Sequence, residues 1–217
     1  MVNIIFIAPP SAGKGTISEY LMNNYDYSHI STGDLLRDEI NKNSEIGKEV
    51  KAIINEGKLV GDDIISNLLE DKLAKINNSF ILDGYPRNIN QAKILKEIFD
   101  KLNIKDICVI NLDITKEELL KRILGRMICP TCHRTYNTSF ESMYPLDGNL
   151  CVDCKTPLVT RDDDNEETFN NRYHIYESET YPIIEYFKNN GIEVHKINVS
   201  NELNVIFNEV EKIIGEN

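Results

Sequence analysis

Apolar positions along this chain fall into a few short runs, separated by stretches with helical spacing. Asn3–Ala8 is an apolar run that ends in a turn, the pattern of a buried parallel strand. Ile17–Tyr25 then reads as helix. Phe80–Leu82 is a second strand-like run, closed by Asp83 and Gly84. In Asn90–Leu102 the residues Ala92, Leu95, Ile98, Phe99 and Leu102 fall on one helical face. Ile107–Ile114 predicts a third strand. Lys116–Leu124 predicts a helix with Thr115 as N-cap and Glu118 in capping-box spacing. Ile192–Val199 predicts a late strand, and Glu202–Ile214 an amphipathic closing helix. Strands alternating with helices make this an α/β fold with a parallel sheet.

Two stretches break the alternation. Thr32–Asp63 is polar and mainly helical in pattern. Met127–Asp164 carries four cysteines, Pro145, Gly148 and Pro157, with little helical periodicity. Both read as insertions on one core, and 217 residues suit a single domain with inserted lobes.

Ala8-Pro9-Pro10-Ser11-Ala12-Gly13-Lys14-Gly15-Thr16 follows the first strand and opens a helix, the context in which a glycine-lysine loop binds phosphate. Backbone N–H groups at a helix N-terminus point toward an anion, and the helix dipole favours negative charge. Lys14 adds a point charge for the β- and γ-phosphates. Ala8 occupies a place where glycine is usual. Gly15 occupies the place of the Ser or Thr that normally reaches Mg²⁺, with Thr16 one residue later.

Only seven of the 24 basic residues are arginine. These are Arg37, Arg87, Arg122, Arg126, Arg134, Arg161 and Arg172. Arginine presents a planar fork that binds phosphate oxygens bidentately, and lysine cannot reproduce it. A lysine-biased chain that places arginine after a Gly-Tyr-Pro turn and before three aspartates points to a phosphate clamp. Chance placement on solvated surfaces is the competing reading. Phosphoryl transfer needs alignment and charge neutralisation more than a general base. Asp34, Asp62 and Asp63 read as solvated loop or cap residues. His29, His133, His174 and His195 are too scattered to suggest a histidine mechanism.

Cys129-Pro130-Thr131-Cys132 and Cys151-Val152-Asp153-Cys154, with eighteen residues between, form a zinc-site spacing. Four protein ligands leave no open position, so such a metal is structural. Disulfides, a c-type haem attachment at Cys129–His133, a zinc ribbon that binds nucleic acid, and iron in place of zinc are the alternatives. The acidic run Asp162-Asp163-Asp164 argues against the ribbon. Cys108 lies in an apolar run and reads as a buried thiol.

With these motifs in order, the chain resembles the adenylate kinase family over nearly its whole length, in its long-lid, zinc-binding form. The matching segments are Gly13-Lys14-Gly15-Thr16, Ser31–Arg37, Gly57-Lys58-Leu59-Val60, Leu82–Arg87 with Gln91, Arg122–Arg126, and Arg161-Asp162-Asp163. The resemblance implies a P-loop nucleoside monophosphate kinase fold: core 1–30, 64–125 and 165–217, AMP-binding insertion 31–63, zinc lid 126–164. It implies the reversible Mg²⁺-dependent reaction ATP + AMP = 2 ADP. Thr32, Arg37, Lys58, Leu59 and Val60 would line the AMP pocket. Gly84, Tyr85, Pro86 and Arg87 would hold the AMP phosphate, and Gln91 would read adenine. Ser11, Ala12, Gly13, Lys14, Gly15 and Thr16 would hold ATP, joined by Arg126, Thr135 and Tyr136 from the lid and Asn201 from the core. Arg161 and Arg172 would bridge donor and acceptor phosphates, with Arg122 beside them. Asp83 would orient waters around Mg²⁺. Three positions depart from the family pattern: Tyr85 stands in place of phenylalanine, and Ser11 and Val199 in place of glycine. A serine at Ser11 is strained if the loop needs φ > 0 there. Another nucleoside monophosphate kinase is the nearest alternative, and a zinc-stabilised binding module without turnover is the alternative from another class.

The formal net charge of −11 counts against a general nucleic-acid binder. No apolar run reaches the roughly 20 residues of a membrane helix. Met1–Ala8 lacks a preceding basic segment, so no secretory signal is expected. The expectation is a cytoplasmic monomer that binds ATP, AMP and ADP.

Overall fold

The first apolar run becomes strand β1 (Asn3–Ile7), and Ile4, Ile5 and Ile7 are fully buried. Its alternate side chains face opposite sides of a sheet, so both sides need cover. In the computed structural model, which describes residues 1–42, 44–55 and 60–215, β1 sits at the centre of a five-stranded parallel sheet. The other strands are β2 (Tyr27–Ser31), β3 (Ser79–Asp83), β4 (Ile107–Asp113), β5 (Arg126–Ile128), β6 (Thr135–Asn137) and β7 (Val194–Asn198). The sheet order is β2-β3-β1-β4-β7, and β5 and β6 form a separate antiparallel pair. Phe6 pairs in register with Asp83 on one side and Ile110 on the other. The C-terminal ends of β1, β2 and β3 therefore share one edge, where ligands of open α/β sheets bind.

The helices are α1 (Lys14–Asn24), α2 (Thr32–Asn41), α3 (Glu45–Asn55), α4 (Asp62–Leu73), α5 (Ile89–Lys101), α6 (Lys116–Leu124), α7 (Glu166–Ile175), α8 (Ile183–Asn189) and α9 (Leu203–Gly215). On one side of the sheet, Ile4 and Phe6 pack with Ile17 and Leu21 of α1, Leu119 of α6 and Val210 of α9. On the other, Ile5 and Ile7 pack with Leu69 of α4, Leu95 of α5 and Ile183 of α8. Thr115 caps α6 as expected: the Glu118 N–H donates to Thr115 Oγ1 at 3.4 Å, and the Thr115 hydroxyl donates to Glu118 Oε2 at 3.1 Å, so the Glu118 side chain meets the cap through its hydroxyl.

The sequence reading and the structure differ at specific elements. β1 ends one residue before Ala8, and α1 begins at Lys14, three residues before Ile17. Two glycines in the loop lower helix propensity and hide the first turn from pattern reading. β2 has no sequence counterpart. It is an edge strand with only Tyr27 and Ile30 buried, so its sequence alternates weakly. Helices α4, α7 and α8 also went unread, and a π-turn (Tyr176–Thr180) follows α7 directly. Among the described residues, no helix is long and apolar enough to cross a membrane.

Candidate active site

A cleft of about 1930 Å³ opens at the C-terminal edge of the sheet. Its floor is the loop between β1 and α1. Ser11 and Gly13 in that loop have φ of 62° and 95°. Left-handed backbone suits Gly13; at Ser11 it costs about 1–2 kcal/mol. The Ser11 Oγ is buried without a hydrogen-bond partner, so the strain conditionally expected for this serine is present. Ser11, Ala12, Gly13, Lys14, Gly15 and Thr16 all line the cleft.

Lys14 Nζ lies 3.4 Å from the Pro9 carbonyl and 3.7 Å from Asp83 Oδ1. Burial pushes the Lys14 ammonium down, Arg87 and Arg126 add to that, and Asp83 opposes it. Burial pushes the Asp83 carboxyl up, but Lys14, His29 and Arg87 outweigh it and hold it below the usual carboxylate range. Asp83 therefore stands as a buried anion beside the phosphate loop. His29, at the middle of β2, places Nε2 3.6 Å from Asp83 Oδ2. Sequence reading missed that neighbour because β2 itself was not legible.

The arginines split into two kinds. Arg122 donates Nη1 to the Ala12 carbonyl at 3.3 Å and Nη2 to the Val199 carbonyl at 2.6 Å. It clamps the protein's own loop as well as lining the cleft. Arg126 grips Asp164 with both arms of its fork, and Arg172 donates to Asp163 Oδ2 at 2.5 Å. Arg161 lines the same wall; burial, then Arg126 and Arg37, push its guanidinium down to about 10. Crowding of like charge favours an anion beside it, and Asp163 and Asp164 supply one here.

The residues expected around the monophosphate bond largely to one another. Arg87 donates Nε to the Gly84 carbonyl at 2.7 Å. Burial, then Arg172, lowers its basicity. Thr32 donates Oγ1 to the same carbonyl at 2.9 Å and is fully buried. Arg37 pairs with Asp34. Gln91 accepts the Arg87 N–H at 2.7 Å and donates to Asp62 Oδ1 at 2.8 Å. Asp62 also accepts from Asn88 and Asn90, so it anchors the α4–α5 junction and is not a solvated loop residue. Val60 and Pro86 line the cleft, with a cis peptide before Pro86. Lys58 and Leu59 lie outside the described residues.

Thr135 and Asn201 line the cleft; Thr32, Tyr85 and Tyr136 do not. The Tyr85 hydroxyl is buried, 2.9 Å from Ser66 Oγ. The Tyr136 side chain points into the cysteine lobe. Both tyrosine side chains are thus committed to protein partners. Asn137, absent from the sequence reading, also lines the cleft and donates to the Arg122 carbonyl at 2.7 Å.

In the lobe, the sulfurs of Cys129, Cys132, Cys151 and Cys154 all lie within 4.8 Å of one another. Cys132 and Cys151 are 3.6 Å apart. With zinc–sulfur bonds of about 2.3 Å, tetrahedral sulfurs stand roughly 3.8 Å apart, so the donor set fits a four-coordinate ion. The Tyr136 hydroxyl, then backbone N–H groups, hold the Cys151 thiol down at about 6 against burial, while Cys154 is pushed up to about 12, first by its hydrogen bond with Cys132. Four thiolates this close need a cation to ionise together. The four remain free thiols, so a disulfide framework is not formed.

Comparison with known proteins accords with this geometry. The adenylate kinase family pattern matches residues 6–192. An adenylate kinase of Petrotoga mobilis is 41% identical over 190 residues, covering 88% of this chain and 87% of that protein. Those of Methanothrix thermoacetophila and Thermotoga neapolitana are each 38% identical; the first covers 99% of both chains, the second 99% of this chain and 98% of that protein. A parallel α/β core, a phosphate loop facing a buried carboxylate, and full-length relatives converge on one assignment: the chain belongs to the adenylate kinase family, nucleoside monophosphate kinases that transfer phosphoryl groups between adenine nucleotides.

Proposed function

We propose that this chain catalyses ATP + AMP ⇌ 2 ADP with Mg²⁺. The observation that carries the reading is the shared cleft: Lys14 and its loop, Arg87 and Gln91, and Arg126, Arg161 and Arg172 all line it. ATP would sit on residues 11–16 with Thr135 and Asn201 at its base. AMP would sit against Val60, Gly84, Pro86, Arg87 and Gln91, with Arg37 beside them; by sequence alone, Lys58 and Leu59 are expected to contact AMP as well.

Asp163 and Asp164 occupy the arginine forks that phosphates would take. On binding, Arg126 and Arg172 exchange these carboxylates for phosphoryl oxygens, so the clamp stays neutralised in both states. Fixed forks stabilise the spreading charge of the transition state without reorganisation. Mg²⁺ bound with nucleotide would neutralise phosphate charge, and Asp83 would hold its waters. Closure of residues 126–164 over the cleft would exclude water, which competes with AMP as acceptor. The four cysteines would hold zinc as a staple for that lid. One chain carries residues for both nucleotides, so a monomer would suffice, and four cysteines without a disulfide suit a reducing compartment such as the cytoplasm.

A coupled assay with AMP, CMP, UMP and GMP tests the acceptor. AMP is expected to be strongly preferred, and a clear preference for a pyrimidine would refute the assignment. Metal analysis of the same sample tests zinc.

A further inference from the structure

Strand β6 turns alternate side chains to opposite surroundings. Thr135 and Asn137 line the nucleotide cleft. Tyr136, between them, points into the cysteine lobe and is only 3% exposed. Its hydroxyl makes two hydrogen bonds. It donates to Cys151 Sγ at 3.3 Å and accepts the Val152 N–H at 2.8 Å. The amide occupies an oxygen lone pair, so the single phenolic proton is left for sulfur. Cys151 is itself fully buried, and its sulfur also receives the Cys154 N–H at 3.5 Å. A tyrosine spent only on packing would not need its hydroxyl aimed at a cysteine.

We propose that Tyr136 is a positioning residue for the lid metal: its hydroxyl hydrogen-bonds the metal-bound thiolate of Cys151 and, through β6, holds Thr135 and Asn137 toward the nucleotide. This rests on the reading of the four cysteines as a metal site. The physical argument is that a thiolate shared with a cation keeps excess charge, and a buried O–H donor stabilises that charge more than a neutral pair would be stabilised. Partners that orient metal ligands this way are worth roughly 10- to 100-fold in metal affinity. Phenylalanine would fill the same space and lose only the donor.

The test uses the full-length chain, as wild type and Tyr136→Phe, loaded with zinc or with cobalt(II). Zinc release to a chromophoric chelator should become roughly 10- to 100-fold faster in Tyr136→Phe. The thiolate-to-cobalt charge-transfer band should move to lower energy, because a sulfur lone pair freed of a hydrogen bond ionises more easily. Tyr20→Phe, which removes a hydroxyl bonded to Glu211 and not to a cysteine, should change neither reading. Replacing all tyrosines with 3-fluorotyrosine strengthens the phenolic donor and should move the band the opposite way; this arm serves even if Tyr136→Phe does not fold. Equal release rates and an unmoved band would overturn the proposal while leaving the metal site intact. A wild-type chain that binds neither zinc nor cobalt would overturn the metal reading, and the role of Tyr136 with it.

Discussion

The sheet core and the cysteine lobe stabilise themselves by different physics. Among the described residues, each side of the sheet has a cluster of 20 buried residues, dominated by Ile, Leu, Val and Phe. The lobe's cluster has four, Cys129, Tyr136, Cys151 and Leu158, and two of those are cysteines. Apolar burial contributes about 1.5–3 kcal/mol per large side chain, so the core can hold itself and the lobe cannot. The difference teaches where each part is vulnerable. Loss of metal should unmake the lobe and spare the core; loss of a charged group in the cleft should unmake the reaction and spare both.

The largest effect should break the lobe alone. Cys129→Ser is expected to release the metal and collapse residues 127–164, since structural zinc carries about 10 kcal/mol or more of apparent folding energy in small modules. Limited proteolysis should show cuts in that segment while the core stays intact. Cuts spread evenly through the chain would mean that the two regions are not independent. Lys14→Ala tests the converse. Activity should fall by roughly 10³-fold, the scale of removing one preorganised charge donor. Metal content and the protease pattern should match wild type.

Arg161→Lys separates fork from charge. The positive charge remains, and kcat should still drop by about 10²-fold because a planar fork is lost. An unchanged kcat would reduce the clamp to a diffuse field.

Acid should act on the cleft through Asp163. Burial pushes this carboxyl up, but Arg172 outweighs burial and holds it below its usual value. A depressed carboxyl contributes stability that is full above its unfolded value, about pH 4, and is lost as pH falls through the folded value. Asp163→Asn should therefore flatten the decline in unfolding midpoint between pH 4 and pH 2 relative to wild type. Parallel curves would remove Asp163 from the account.

The smallest effect concerns the seam between the two regions. Arg134 on the lobe reaches Asp153 at 2.6 Å and Glu19 of α1 at 3.6 Å. Both partners are exposed, so Glu19→Gln should lower stability by less than about 1 kcal/mol, read as a small shift in Tm that disappears at high salt.

Much of this is legible in the sequence. The phosphate loop and the Cys-x-x-Cys pairs are local motifs, in which a few adjacent residues dictate backbone geometry and donor spacing. The inner strands were legible because burial on both faces leaves continuous apolar runs. β2 was not, because an edge strand needs few apolar residues. Asp62 looked like a solvated cap, and only the docking of α4 beside α5 turns it toward Gln91. The side chains of Tyr85 and Tyr136 were expected at ligands, yet both are anchored in the protein instead.

The sequence by itself determined the class of chemistry and the inventory of groups: the loop, the sparing use of arginine and the four thiols. These follow from residue type and short-range spacing, which survive in one dimension. Only the tertiary structure decided how those groups are partnered. Arg122 is tied to the backbone at Ala12 and Val199, Arg126 and Arg172 are held by aspartates, and Tyr136 is committed to a sulfur. Partners that lie up to 110 residues apart in the chain meet only when the sheet edge and the lobe are assembled. Hydrogen bonds and desolvation act over a few ångströms of space, whatever the distance along the sequence.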